Sequence, residues 1–493
     1  MEKKDYPNII LIVIDALRAR SLGCYGGKTA SSPHIDTIAS KGILFERAFS
    51  AWNTTDQSLT TILTGRYPRT HGIIHHGDKV KTEDRETFEK LNIKLLAEIL
   101  KPLGYKTYAV DWMGRWFKKG FDYYGYKTEK PLIKKIIYTF FTIPYTHIKY
   151  MIAHIGLLRI YLKKRKKGKS SPPLLWKDIK DVLSTFFFTF ELARLQDANI
   201  ITGIAEEWLR KSGKEKYFLF LHYWDTHTPY NYPRKHLIKK KGGSSAKENL
   251  LAKYAGAVRY VDQHIGRLFE LLGEENQQKN TLLIITSDHG ESLTEHDIVF
   301  DHHGLYDVTT HVPLILYYPK SFSSARRVNS LVQHVDLLPT LWDLLQIDPV
   351  PYRPDGKSLL PLIDDDRKEI RPYCFHEESY VQRKIGLRTH KYKYIYAPDG
   401  QGLCNYCQMV HGGSEELYNL EKDPEETNNI VDKDKSIAQQ MRKELDSFYK
   451  SLEKKRQKEL EEGRSNDPSL TTKSDLKEEK KIKRKLRGLG YMD

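Results

Sequence analysis

Asn8-Ile9-Ile10-Leu11-Ile12-Val13-Ile14-Asp15 is an apolar run that stops abruptly in an aspartate. Thr281-Leu282-Leu283-Ile284-Ile285-Thr286-Ser287-Asp288-His289-Gly290-Glu291 repeats the pattern far downstream. Short β-branched runs without polar alternation are strands buried on both faces, as in a parallel sheet. Ligand sites in such sheets lie beyond the carboxyl ends of the strands. Asp15, Asp288 and His289 are therefore expected to converge at one sheet edge, where two carboxylates and an imidazole suit a divalent cation. Turn formation and helix capping are the plainer roles for an acidic residue after a strand.

Working outward, the chain alternates strand-like and helix-like segments. Ser31-Ser32-Pro33-His34 leads into a helix containing Ile35, Ile38 and Ala39. A helix over Leu91–Leu103, closed by Gly104, precedes a strand over Tyr105–Val110. Phe218–Tyr223 is a strand, Tyr254–Leu272 has helical apolar spacing, and Val335–Leu345 is a helix. Val312–Tyr318 is a strand whose Pro313 suits a sheet edge or strand start. This alternation predicts an α/β fold, a large mostly parallel sheet sandwiched by helices. From about Arg371 the texture changes: Lys384–Thr389 and Tyr392–Tyr396 form an antiparallel pair, followed by a helix with Ile437, Met441, Leu445, Phe448 and Leu452. The expected domains are residues 1–365, catalytic α/β; 366–453, a smaller C-terminal α+β subdomain; and 454–493, a charged tail.

An insertion near 132–190 breaks the alternation. Leu132–Leu162 mixes apolar and aromatic residues with Lys and His, and runs into Lys163-Lys164-Arg165-Lys166-Lys167. Its pattern fits a membrane-surface element over 132–167 as well as a helical hairpin packed on the sheet.

The formal net charge of +16 suits anionic partners, although much of it sits in that cluster and in Lys480–Lys485 of the tail. The basic runs lack the aromatic interleaving of a nucleic-acid surface, so no nucleic acid is expected. Four cysteines make no disulfide framework. Cys404 and Cys407 form a loop-like C-x-x-C that fits a local clip or two free thiols better than four-ligand zinc. The charged N-terminus carries no export signal and no apolar stretch reaches spanning length, so the expected location is cytoplasmic, with peripheral membrane contact where 132–167 allows it.

A hydroxyl would complete the cation site. Asn53-Thr54-Thr55-Asp56-Gln57-Ser58-Leu59-Thr60-Thr61-Ile62-Leu63-Thr64-Gly65-Arg66 is a loop entering a helix that ends at Gly65. A helix N-terminus presents free N–H groups and positive dipole to an anion. A threonine there is either an N-cap or a nucleophile activated by the cation.

Asp15-Ala16-Leu17-Arg18, Leu22-Gly23-Cys24-Tyr25-Gly26, Leu63-Thr64-Gly65-Arg66-Tyr67-Pro68, Asp225-Thr226-His227-Thr228-Pro229, Ser287-Asp288-His289-Gly290-Glu291, His311-Val312-Pro313-Leu314, Asp336-Leu337-Leu338-Pro339-Thr340 and Leu417–Pro424 occur in this order. The ordered set resembles the sulfatase family of the alkaline phosphatase-like superfamily, over roughly residues 7–120 and 195–450. The resemblance implies metal ligands at Asp15, Asp288 and His289 and a nucleophile at Thr55. It implies that His227 contacts the substrate ester, that His303 lies near the leaving group, and that His302 stands where many sulfatases place a substrate-binding lysine. Arg18 and Arg115 are the expected anion contacts. Among the remaining histidines, His75, His76, His222 and His296 are expected to be structural, with His222 the best supporting residue. Asp225 is an alternative ligand for a second cation.

Three departures shape the expected chemistry. The maturation setting Cys-x-Pro-x-Arg is replaced by Thr55-Asp56-Gln57-Ser58-Leu59, so no formylglycine is expected. The second residue of the usual Asp-Asp pair is Ala16, and the Gly-Lys-x-His motif appears as Gly114-Arg115-Trp116-Phe117. The expected function is hydrolysis of sulfate or phosphate esters by a Thr nucleophile with one divalent ion (calcium, manganese or zinc). The expected substrate is an anionic small molecule, glycan or lipid ester. The alternatives are phosphoryl transfer to a lipid or surface polymer, and non-catalytic binding of anionic glycans or lipids.

Overall fold

The computed structural model describes residues 6–28, 31–125, 197–213, 215–228, 230, 232–236, 246–298, 301–347, 353–365, 368–403 and 409–463. The 132–167 segment, Cys404, Cys407 and the chain beyond 463 lie outside the described residues.

Eight strands form the main sheet: β1 (Asn8–Ile14), β2 (Ile43–Phe49), β3 (Lys106–Val110), β4 (Tyr123–Tyr124), β5 (Tyr217–Tyr223), β6 (Thr281–Thr286), β7 (Leu314–Tyr317) and β8 (Arg326–Gln333). Their order is β4-β3-β5-β1-β6-β7-β2-β8. All run parallel except β7, which is antiparallel to both β6 and β2. The α/β architecture read from the alternation is the one observed. Pro313 immediately precedes β7, so it marks a strand start and not a sheet edge.

The unalternating apolar strands are buried on both faces because each face has its own helical layer. Ile9, Leu11, Val13, Phe218, Phe220, Leu282 and Ile284 pack with Leu59, Ile62 and Leu63 of helix Thr55–Thr64. Ile10, Ile12, Ile14, Leu219, Leu221, Leu283 and Ile285 pack with Val258, Val261 and Ile265 of helix Ala246–Glu274. Fully burying each such side chain contributes about 1.5–3 kcal/mol, which outweighs the modest helix and strand propensities.

Element boundaries shift where local geometry intervenes. The expected helix Leu91–Leu103 is shortened to Leu96–Leu100 plus a 3-10 turn, Lys101–Leu103. Asn92 adopts a left-handed backbone (φ 46), and Pro102 interrupts the far end. Strands β2 and β8, whose charged residues hide the buried pattern, were not read from the sequence.

A second sheet, β9 (Cys374–Glu378), β10 (Lys384–Arg388), β11 (Tyr392–Tyr396) and β12 (Glu415–Asn419), is antiparallel in the order β12-β11-β10-β9. Helix Lys435–Gly463 covers it with Ala438, Met441, Leu445, Tyr449 and Leu452. That helix continues past the expected boundary at 454, and Lys455 Nζ binds Asp355 Oδ1 at 2.5 Å. Among the described residues no helix is long and apolar enough to cross a membrane.

The two sheets meet at the start of helix Thr55–Thr64. Glu377 donates its amide to Ala51 O (3.0 Å), and its carboxylate receives Arg69 Nε (2.9 Å). Glu378 Oε2 accepts from Asn53 Nδ2 and Gly304 N, each at 2.6 Å. The C-terminal sheet thereby pins both the Thr55 loop and the 302–304 turn.

Candidate active site

Alternation along four neighbouring strands directs one residue from each to the same place. Asp15 continues the Ile9/Leu11/Val13 row, and His222 continues the Phe218/Phe220 row. Asp288 and Asp111 extend the corresponding rows of β6 and β3. Val13 pairs with both His222 and Thr286, and Val110 pairs with Leu221, so the four carboxyl-terminal ends lie side by side. All four residues point toward the layer that contains helix Thr55–Thr64.

The loops after the strands are fixed by backbone bonds. Asp15 N donates to Tyr223 O (2.8 Å), and Thr226 Oγ1 donates to Asp15 O (2.5 Å). Ala16 takes a left-handed conformation (φ 57), which non-glycine residues rarely adopt, and donates its amide to Asp288 Oδ1 (3.1 Å). The His289 amide reaches the same oxygen at 2.8 Å. Asp288 Oδ1 is thus occupied, and Oδ2 is left for another partner.

Thr55 is the first residue of its helix, after Thr54 in extended conformation, and is fully buried. Its Oγ1 lies 3.5 Å from Asp15 Oδ2 and 3.5 Å from His289 Nε2. His289 Nδ1 is 2.8 Å from Gly290 O, an acceptor only, so Nδ1 carries the proton and Nε2 faces the hydroxyl as a lone pair.

Asp15, Asp288 and His222 offer donor atoms that all lie within 4.8 Å of one another. Asp15 Oδ1, Asp288 Oδ2 and His222 Nε2 are buried, with no hydrogen-bond partner among the described residues. Buried polar atoms without a partner cost free energy, and two carboxylates and an imidazole grouped this closely fit a cation. Burial, with the Asp288 and Glu291 carboxylates, pushes the Asp15 carboxyl well above its ordinary range. Burial acts the same way on Asp288, but His289, His222 and the two amides outweigh it and hold that carboxyl low. A divalent ion would relieve the repulsion behind this asymmetry.

The structure brings Asp15, Asp288, His289 and Thr55 together. His302 lies over them, its ring centroid 4.5 Å from His289, 6.2 Å from His76 and 6.3 Å from His227. His227 Nδ1 donates to Thr228 O (2.7 Å), and burial pulls its pKa down to about 4. Burial does the same to His303, to about 3. The His303 ring stands 4.9 Å from His411, with Nε2 3.9 Å from Asp301.

Arg18 and Arg115, the expected anion contacts, each have a carboxylate neighbour: Arg18 Nη1 binds Glu295 at 2.7 Å, and Arg115 binds Asp56, the residue after Thr55. Asp56 also accepts from Gly77 N (2.7 Å), so Arg115 acts on the helix start. Asp225 accepts from Ala198 N (3.0 Å) at the start of helix Ala198–Ser212, away from any second ligand cluster among the described residues. His75 pairs with Asp84 (2.8 Å), and His296 stacks on Tyr306. His222, expected to support the site, belongs to the donor group itself. Two signals could have revealed the missed residues: His222 is the lone charged-type residue in an apolar strand, and Asp111 is a third aspartate ending an apolar run.

Two family models match the chain: Sulfatase over residues 7–347, and N-sulphoglucosamine sulphohydrolase, C-terminal, over 294–455. An N-acetylglucosamine-6-O-sulfatase of Bacteroides thetaiotaomicron is 26% identical, covering 92% of this chain and 87% of that protein. Human iduronate 2-sulfatase is 24% identical, covering 86% and 91%. Among solved structures, the phosphonate monoester hydrolase of Agrobacterium radiobacter superposes with a TM-score of 0.62 at 19% identity, covering 90% and 96%. The yidJ structure from Bacteroides fragilis gives 0.64 at 18% identity, covering 92% and 97%.

Proposed function

The chain belongs to the sulfatase family, and from that premise we propose that it is a metal-dependent hydrolase of sulfate or phosphate esters whose nucleophile is Thr55. The observation that carries this reading is the Thr55 hydroxyl, held at a helix N-terminus 3.5 Å from both Asp15 Oδ2 and His289 Nε2. The named relatives act on sulfated sugars, which supports an anionic glycan ester as substrate.

Asp15 and Asp288 would hold the divalent ion, with the neighbouring imidazoles completing the set. Such an ion supplies positive charge against the ester oxygens and lowers the pKa of a nearby hydroxyl. Thr55 Oγ1 attacks the sulfur or phosphorus in line. Its proton passes to Asp15 Oδ2, the carboxylate oxygen within reach. A bond forms between Thr55 Oγ1 and the central atom while the bond to the ester oxygen breaks, and the departing alcohol takes up a proton. Water then cleaves the Thr55 ester and restores the hydroxyl. The amides at the helix start favour the added negative charge. His227 and His302, kept neutral by burial, gain proton affinity when an anionic ester enters beside them. They are the groups placed to bond the ester oxygens.

The test is turnover by purified protein of 4-nitrophenyl sulfate, 4-nitrophenyl phosphate, bis(4-nitrophenyl) phosphate and glucosamine 6-sulfate, with and without chelator and added Ca²⁺, Mn²⁺ or Zn²⁺. The expected result is hydrolysis of at least one ester class, abolished by chelation and restored by metal. Metal-loaded protein that turns over none of them would overturn the proposal.

A further inference from the structure

The donor group at the sheet edge contains few oxygen ligands. Ala16, next to Asp15, contributes only its amide, and that is spent on Asp288 Oδ1. Asp288 Oδ1 is engaged by two amides, leaving a single oxygen of that carboxylate facing the group. The third donor is the imidazole of His222, with Nε2 3.7 Å from Asp15 Oδ2 and fully buried.

His222 Nδ1 lies between two groups, Asp111 Oδ1 at 3.1 Å and the indole Nε1 of Trp224 at 3.0 Å. One ring nitrogen can serve only one of them. If Nδ1 carries the proton, it donates to Asp111, and Nε2 offers its lone pair to the carboxylates' meeting point. If Nδ1 accepts from Trp224, Nε2 carries the proton and cannot bind a cation. A carboxylate behind a histidine is a common way of fixing the ligand tautomer and raising its basicity.

Calcium takes six to eight oxygen ligands at flexible geometry, whereas zinc accepts four, with imidazole nitrogen and carboxylate oxygen together. The carboxylates of Asp15 and Asp288 with the imidazoles of His222 and His289, whose Nε2 lies 3.3 Å from Asp288 Oδ2, make a nitrogen-containing donor set of the kind zinc takes beside Thr55 Oγ1. We infer that His222, oriented by Asp111, is a nitrogen ligand of the cation site, and that the site therefore takes a zinc-class divalent ion in preference to calcium. This rests on the reading of the pocket as a cation-dependent site. Asp111 is a positioning residue, acting through His222. Four adjacent strands thus contribute in order: Asp111 from β3, His222 from β5, Asp15 from β1 and Asp288 from β6.

The experiment is calorimetric titration of chelator-stripped full-length protein with Zn²⁺ and, separately, Ca²⁺. Wild type should bind one zinc at least 100-fold more tightly than calcium. His222→Ala should lose at least 100-fold in zinc affinity with calcium affinity changed less than threefold. His222→Asp should narrow the zinc-to-calcium ratio at least tenfold. Asp111→Leu should lose 10–100-fold in zinc affinity, while Trp224→Phe should stay within threefold of wild type. Circular dichroism of each stripped variant checks folding. Wild type that prefers calcium, or a folded His222→Ala that binds zinc as well as wild type, would overturn the inference. Because the readout is binding, an inactive protein that still meets these expectations would reject the hydrolase reading and leave the ligand assignment standing.

Discussion

Replacing Thr55 by alanine separates chemistry from folding more cleanly than any other single change. The two contacts of Thr55 Oγ1 are both 3.5 Å long, at the outer limit of a hydrogen bond. A well-formed neutral bond contributes about 1 kcal/mol, so the hydroxyl contributes less than that to stability. The lost methyl group adds about 0.8 kcal/mol of burial. Thr55→Ala should therefore destabilise the protein by about 1–2 kcal/mol and leave it folded. Losing the nucleophile should lower kcat at least about 10³-fold, roughly 4 kcal/mol of barrier. Thr55→Ser keeps the hydroxyl and should remain within about tenfold of wild type, the serine losing only the methyl group that restricts its rotamer. The assay is initial rate on the best ester substrate with metal saturating, alongside urea unfolding of all three proteins. If folded Thr55→Ala turns over within tenfold of wild type, Thr55 is not the nucleophile and the proposed first step is wrong.

Three further outcomes follow from the geometry. A Cβ on Gly290 would lie 2.2 Å from Val308 O, so Gly290→Ala must displace the loop that holds Asp288 and His289; it should cost about 1–3 kcal/mol in a urea melt and lower kcat/KM at least tenfold. Arg69→Leu strips the fully buried Glu377 of its bidentate partner and should destabilise the protein by about 3–5 kcal/mol, with Arg69→Leu/Glu377→Leu recovering part of the loss in the same melt. Burial opposes the charge of Glu295, but Arg18 and nearby amides overcome it and hold its pKa at about 2 against an ordinary 4.5; a depressed acid stabilises the fold fully above pH 4.5 and loses that contribution as pH falls toward 2, so Glu295→Gln should flatten thermal stability across that window.

Local pattern and global arrangement contributed differently to what can be known of this chain. Asp15, Asp288 and Thr55 were legible because each sits where a local signal changes: the end of a buried strand, or the first turn of a helix closed by Gly65, whose φ of 65 suits glycine. Burial on both faces of β1 and β6 was legible from the unbroken β-branched runs. The ordered motifs then placed His227, His289 and His302 in the same pocket, where ring contacts to His302 now join them.

What remained hidden depends on which strands become neighbours. The order β3-β5-β1-β6 sets Asp111, His222, Asp15 and Asp288 in one row, although they are scattered across residues 15–288 of the chain. No local spacing encodes that row, because hydrogen bonding between strands is indifferent to sequence separation. The same holds for Arg18 and Arg115. From sequence neither shows its neighbour; tertiary packing supplies Glu295 and Asp56 as carboxylate partners. An α/β sheet with a carboxylate edge and a threonine at a helix start follow from local pattern alone. Which side chains face that edge unpartnered depends on strand order and packing, and burial makes those unpartnered atoms the ones that demand a ligand.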